Sequence, residues 1–178
     1  MSNQLSFSLD FFAPTERSSR LGPGIHKVTF TSIQYDPTGN YTDIVFTNDT
    51  GTANKRIFHE AKVYGNGTIE EAVETRNARN LGFYYSVLSV VGGKGATSKV
   101  PVASNYDALA RATEAALSKY KGKEVYLKLI VDKNGVYSEI PKYGRFIQSV
   151  DEELTLTISE KESTVKAPVR SVESDLPF

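Results

Sequence analysis

The feature that most constrains this chain is a change of hydrophobic period that occurs twice. Apolar residues recur at every second position between residues 24 and 64, at helical spacing between 68 and 122, and again at every second position from 124 onward. Such a chain must build a sheet whose third and fourth strands are separated by helices. The first run, 24–35, carries Ile25, Val28, Phe30, Ile33 and Tyr35, so its parity slips after Ile25 and again after Phe30. Slips of this kind predict bulges in a strand that turns a barrel corner. Asp36 to Asn40 supply turn chemistry, the run 41–47 turns Ile44 and Phe46 inward, and residues 48–54 are expected to form a loop.

In the third run, 55–64, alternation sends Ile57, His59, Ala61 and Val63 to one face and Arg56, Phe58, Glu60, Lys62 and Tyr64 to the other. A merely solvated face has little use for Phe58 and Tyr64. Rings interleaved with cations suit a surface that stacks bases and neutralises phosphates, although such faces also pack beneath loops or helices.

Thr68 and Glu71 form a capping-box pair ahead of a first helix, with a break expected near 77–82. A second helix is expected from Ser104 to Gly122. Strand character resumes over 124–131, with Val125, Leu127, Leu129 and Val131 inward and Tyr126, Lys128 and Ile130 outward. Asn134-Gly135 then signals a hairpin, and the return strand, 136–150, is interrupted at Pro141. Leu5, Phe7, Leu9 and Phe11 predict an additional N-terminal strand, and Leu154, Leu156 and Ile158 an additional C-terminal one. This order, three meandering strands, helices, then two strands, is that of the oligonucleotide-binding barrel. The fold class expected is therefore mainly β with inserted helices, an OB-fold-like five-stranded barrel spanning 1–159 with its helical insertion at about 68–122. An open sheet with helices on one face satisfies the same pattern.

Composition narrows the chemistry. With no cysteine and only His26 and His59 in 178 residues, disulfides, thiolate metal centres and histidine-rich metal sites are excluded, and a reducing cytoplasm is the natural setting. No leader pattern or membrane-length apolar window occurs, so no membrane association is expected. The net charge of +0 hides an asymmetry: residues 1–150 hold 18 Lys and Arg against 14 Asp and Glu, and residues 151–178 hold 3 against 7. The loop Gly92-Gly93-Lys94-Gly95-Ala96-Thr97-Ser98 has the wrong order for a nucleotide-binding loop, because Gly95 rather than Ser or Thr follows Lys94 and the segment before it reads as helix. Lys94 and Lys99 could still touch a phosphate backbone. Neither histidine stands beside a nucleophile or paired carboxylates, and His59 reads as a core residue. No enzyme activity, metal or cofactor is expected. The constellation that carries a function is Lys27, Arg56, Phe58, Lys62, Tyr64, Tyr126, Lys128, Tyr143 and Arg145, rings and cations suited to single-stranded nucleic acid without strong sequence preference.

Beyond residue 160 periodicity is lost, and residues 160–178 are expected to form a disordered tail. The tail finishes Glu173-Ser174-Asp175-Leu176-Pro177-Phe178, which resembles the C-terminal tip of single-stranded-DNA-binding proteins. The rest of the chain lacks the bacterial family's sequence and the tail carries Lys161, Lys166 and Arg170, so the combination resembles the divergent bacteriophage type. The resemblance implies a protein that coats and protects single strands in replication, recombination or repair, in the host cytoplasm if phage-encoded. It also implies that Asp175, Leu176, Pro177 and Phe178 recruit replication or repair proteins, the terminal ring and carboxylate being gripped together. A monomer or dimer is expected rather than a tetramer. Two other readings fit parts of the pattern: a structural or virion β-protein whose rings bury against another subunit, and a metal-dependent nuclease.

Overall fold

A computed structural model describes residues 19–59, 63, 65–93, 95–97 and 105–166. Its sheet is organised around β1 (Gly24–Asp36), which pairs antiparallel with β2 (Tyr41–Asn48) through its C-terminal half and with β4 (Glu124–Val131) through its N-terminal half. β3 (Gly51–Phe58) pairs with β2. β5 (Ser138–Glu139) pairs with the end of β4 and β6 (Ile147–Ser149) with its beginning. β5 and β6 are thus two halves of one return strand, parted by an excursion at Pro141 as the sequence predicts. The strand order is β3-β2-β1-β4-β5. Lys55 Nζ, donating to the Ile140 carbonyl at 2.8 Å, reaches across the remaining gap from β3 to the β5 side. The result is a nearly closed five-stranded antiparallel barrel of OB-like order.

β1 serves two sheet faces because its register against β2 shifts between Phe30 and Ser32. That bulge keeps Val28, Phe30 and Ile33 all buried while the strand bends. The slip expected after Ile25 is absent: pairing with β4 runs unbroken from Gly24 to Thr29, and Ile25 lies half-buried opposite Lys128.

The expected loop over 48–54 is instead a tight hairpin. Asn48 Oδ1 accepts from the Thr50 and Gly51 backbone N–H groups at 2.9 and 3.1 Å, so only Asp49 and Thr50 turn. β3 begins at Gly51 because the segment before β1 lies along it, with Thr52 N donating to Ser19 O at 2.8 Å and Leu21 N to Thr52 O at 3.0 Å. The Ser19 carbonyl occupies the space a Cβ at Gly51 would need.

Two helices lie between β3 and β4. α1 (Ile69–Val91) begins at the predicted capping box, with Glu71 N donating to Thr68 Oγ1 at 3.2 Å and Thr68 N to Glu71 Oε2 at 3.1 Å. It runs without a break through Gly82. Its second half supplies Phe83, Tyr84, Val87, Leu88 and Val91 to the core, while Ile69 and Val73 in its first half stay exposed. α2 (Tyr106–Ser118) is capped by Asn105, whose side chain accepts from Ala108 N at 2.9 Å, one residue later than the start expected from Ser104. The core joins these side chains and Leu117 to Phe30, Ile44, Phe46, Val125, Leu127 and Leu129, with Phe83 stacked on Phe146 at 4.8 Å. Truncating a fully enclosed ring such as Phe30 or Phe46 removes about 3–5 kcal/mol.

The Asn134-Gly135 hairpin is present, with Asp132 Oδ1 accepting from Val136 and Tyr137 N–H at 2.9 Å each. Residues 153–159 form no strand ladder, so the additional C-terminal strand is not made, although Leu156 is buried. Nor are residues 160–166 disordered: α3 (Glu160–Ser163) packs on β4, and Lys166 N donates to Gly135 O at 2.8 Å. The predicted strand at residues 5–11 lies outside the described residues, as do 167–178.

Candidate nucleic-acid interface

Alternation along β2 and β3 turns Thr42, Ile44, Phe46, Ala53 and Ile57 inward and leaves Tyr41, Asp43, Arg56 and Phe58 on the outside. Tyr41 stands opposite Phe58 and Asp43 opposite Arg56. Arg56 donates from Nε and Nη2 to the two Asp43 oxygens at 2.8 and 2.7 Å, and its guanidinium carbon lies 3.8 Å from the Tyr41 ring centroid. The hydrogen bond to Asp43 raises the Arg56 pKa, fixing the planar cation in its charged form. Asp36, held below the usual carboxylate range mainly by the Gly39 N–H, accepts from the Tyr41 hydroxyl and so fixes that ring. The Phe58 ring meets Tyr41 edge-on at 6.0 Å and is 52% exposed. The Arg56–Tyr41 stack, fixed by Asp43 and Asp36, thus carries an exposed Phe58 ring against its edge.

Beside this platform lies a groove of about 420 Å³ between β3, α1 and the β5 region. Its charged lining is six cations, Arg20, Lys55, Arg56, Arg76, Arg79 and Lys142, against one carboxylate, Glu139. α1 is fixed to the end of β3 because Arg76 Nη1 and Asn80 Nδ2 both donate to the Phe58 carbonyl, at 3.3 and 3.4 Å. Burial lowers the pKa of Lys55, with Glu139 opposing the shift. Exposed rings flank the cations: Arg79 is 5.9 Å from the centroid of Tyr143, and Arg20 is 6.0 Å from that of Tyr137. A larger recess, about 620 Å³ at the C-terminal end of α1, mixes Lys123 and Arg145 with Glu124, Asp151 and Glu152 and has no comparable bias.

The residues singled out in the sequence divide between these regions. Arg56 and Phe58 line the groove, and Tyr143 joins it through Arg79. Lys27 lies elsewhere, paired with Glu124 at 3.0 Å, beside half-buried Tyr126 on the next strand. Lys128 is nearly enclosed and bonded to Glu162 at 2.8 Å, and Arg145 contacts Thr155 at 2.8 Å and Glu152 at 3.6 Å. Lys62 and Tyr64 lie outside the described residues, as do Lys94 and Lys99 and the tip residues Asp175, Leu176, Pro177 and Phe178. Sequence reasoning missed Arg20, Lys55, Arg76, Arg79, Tyr137 and Lys142. The i,i+3 spacing of Arg76 and Arg79 does put both on one helix face, but only the docking of α1 reveals what that face meets.

His59 is a core residue as expected. Its Nε2 is 2.9 Å from Thr42 Oγ1, its ring lies between Tyr35 and Tyr106, and burial, reinforced by the Arg76 charge, lowers its pKa to about 4. Among the described residues no group of three His, Cys, Asp or Glu side chains could hold a metal, and no helix is long and apolar enough to cross a membrane. No family model matches this sequence, and no curated protein does so either.

Proposed function

We propose that this protein binds single-stranded nucleic acid, DNA in the first instance, without reading its sequence, and so protects exposed strands during replication, recombination or repair. The observation that carries this reading is the half-exposed Phe58 ring on the Arg56–Tyr41 platform, at the lip of a groove lined by six cations and one carboxylate. Every base has a flat face, so stacking contributes about 1–3 kcal/mol per base whatever the sequence. Cations along the backbone add a salt-sensitive increment through counterion release. The OB-like order adds weight, since barrels of this kind commonly use the face around their second and third strands.

Fluorescence anisotropy with labelled homopolymeric and mixed oligonucleotides tests the proposal. Single strands should bind with similar affinity, more tightly than a duplex, and more weakly as salt rises. Absence of binding at low salt, or a preference for duplex, would overturn it. Mg²⁺ should leave the oligonucleotide intact, and cleavage would favour a nuclease instead.

Partner recruitment is a second part of this reading, supported by the residues Asp175-Leu176-Pro177-Phe178. Removing residues 171–178 should leave oligonucleotide affinity unchanged or higher while abolishing co-purification of replication or repair proteins. A large loss of DNA affinity would contradict that separation.

A further inference from the structure

We infer that the phosphates of a bound strand cross the gap between β3 and β5 along the cations of α1 and Lys142 of the β5–β6 excursion, and do not follow the lysines of β1 and β4 or the Glu152-paired Arg145. This path rests on the single-strand reading and adds to it a division between cations that neutralise phosphate and cations that do not.

The cations differ in the charge they have available. Arg20, Arg76, Arg79 and Lys142 make no ion pair among the described residues, whereas Lys27, Arg56, Lys128 and Arg145 each face a carboxylate. A cation already paired with a carboxylate either brings that negative charge with it or must first part from it, so it neutralises phosphate less well than an unpaired cation does. Each phosphate neutralised frees counterion condensed on the nucleic acid.

The edge of β3 favours the same path. Thr52 directs its N–H and C=O away from β2, since these groups bond to Ser19 and Leu21. In an antiparallel ladder that direction repeats at every second residue, so the backbones of Asn54, Arg56 and Phe58 point the same way. The Phe58 carbonyl is taken by Arg76 and Asn80. Among the described residues the N–H groups of Asn54 and Arg56, both of which line the groove, have no partner and remain as donors along the β3 edge. Phosphate oxygens in the groove would therefore meet neutral donors from the strand on one side and guanidinium groups from the helix on the other. Bases turned outward would lie at Phe58. Arg56, held flat between Asp43 and Tyr41, acts in this arrangement as a stacking surface.

The test is the salt dependence of oligonucleotide binding in the full-length protein. Arg76→Gln combined with Arg79→Gln, and separately Arg79→Gln combined with Lys142→Gln, should each reduce the slope of log affinity against log salt by about 0.7 per cation removed. The second pair replaces exposed side chains that make no hydrogen bond to the barrel among the described residues, so it remains informative if loss of Arg76 disturbs α1. Lys27→Gln and Arg145→Gln should leave the slope as in the wild type. An unchanged slope in both double variants, or a reduced slope in the Lys27 or Arg145 variant, overturns the path while leaving single-strand binding intact. Failure of the wild type to bind single strands would remove the functional reading itself.

Discussion

Two basic regions of this barrel differ in what their charges face. On the flank formed by β1, β4 and β6, Lys27 lies 3.0 Å from Glu124, Lys128 2.8 Å from Glu162 and Arg145 3.6 Å from Glu152. In the groove between β3 and α1, Arg20, Arg76, Arg79 and Lys142 form no ion pair among the described residues, and Lys55, within the field of Glu139, bonds to the Ile140 carbonyl. The flank spends its cations on holding strands and α3 together, and the groove leaves most of its cations to attract an outside anion. Counting lysines and arginines does not separate the two, and counting the carboxylates within reach of each does.

The sharpest way to break this comparison is Phe58→Ala. It should weaken oligonucleotide binding by about 1–3 kcal/mol, roughly 5- to 150-fold, as read by anisotropy. Because the ring is 52% exposed, urea unfolding should change little. Loss of folding with no separate effect on binding would make the platform a packing feature like those on the flank. Lys128→Met should do the reverse, costing about 1 kcal/mol in urea unfolding through the lost bond to Glu162 while leaving oligonucleotide affinity unchanged.

Acid should distinguish the regions by pH window. His59, which follows the groove residue Phe58 and packs between Tyr35 and Tyr106, has its folded pKa lowered from 6.5 to about 4. Its unfolded form takes up a proton first, so its contribution is complete above about pH 6.5 and is lost as pH falls toward 4. Glu162, on the flank, is lowered from 4.5 to about 2, chiefly by the Lys128 hydrogen bond. Its contribution is present above about pH 4.5 and is lost between there and about 2. Stability measured from pH 8 to 2 should therefore decline in two stages, with His59→Gln removing the upper one and Lys128→Met diminishing the lower, to which the lowered carboxyls of Asp36, Asp107 and Asp132 also contribute. The smallest effect belongs to Lys27→Gln, since an exposed pair contributes about 0–1 kcal/mol and the flank is not expected to touch nucleic acid.

The barrel was legible because its signals are local. The capping box at Thr68 and Glu71, the span of β4 and the hairpin at Asn134-Gly135 each lie within a few residues. The start of β3 was not, because Gly51 to Asn54 bring only Ala53 to the core as an apolar side chain and their strand geometry is imposed by Ser19 and Leu21. The make-up of the candidate groove was half-legible for a related reason. Alternation in β3 identifies Arg56 and Phe58, but whether a cation is free depends on partners distant in the chain. Lys128 meets Glu162 34 residues later, and Arg76 reaches Phe58 18 residues back only because α1 folds over the strand. The short α3 was lost among polar residues whose only cue, Ser159 bonded to Glu162, is a capping pair with no apolar run behind it.

The divided return strand has a further consequence. β5 and β6 are both anchored to β4, so the excursion between them begins and ends at fixed points while carrying Lys142, Tyr143 and Arg145 outward. Residues could be inserted or removed there without shifting the alignment of the strands on either side. The barrel thus possesses an adjustable arm: its length could change how far Lys142 and Tyr143 extend from the wall of the molecule, with the hydrophobic interior left alone.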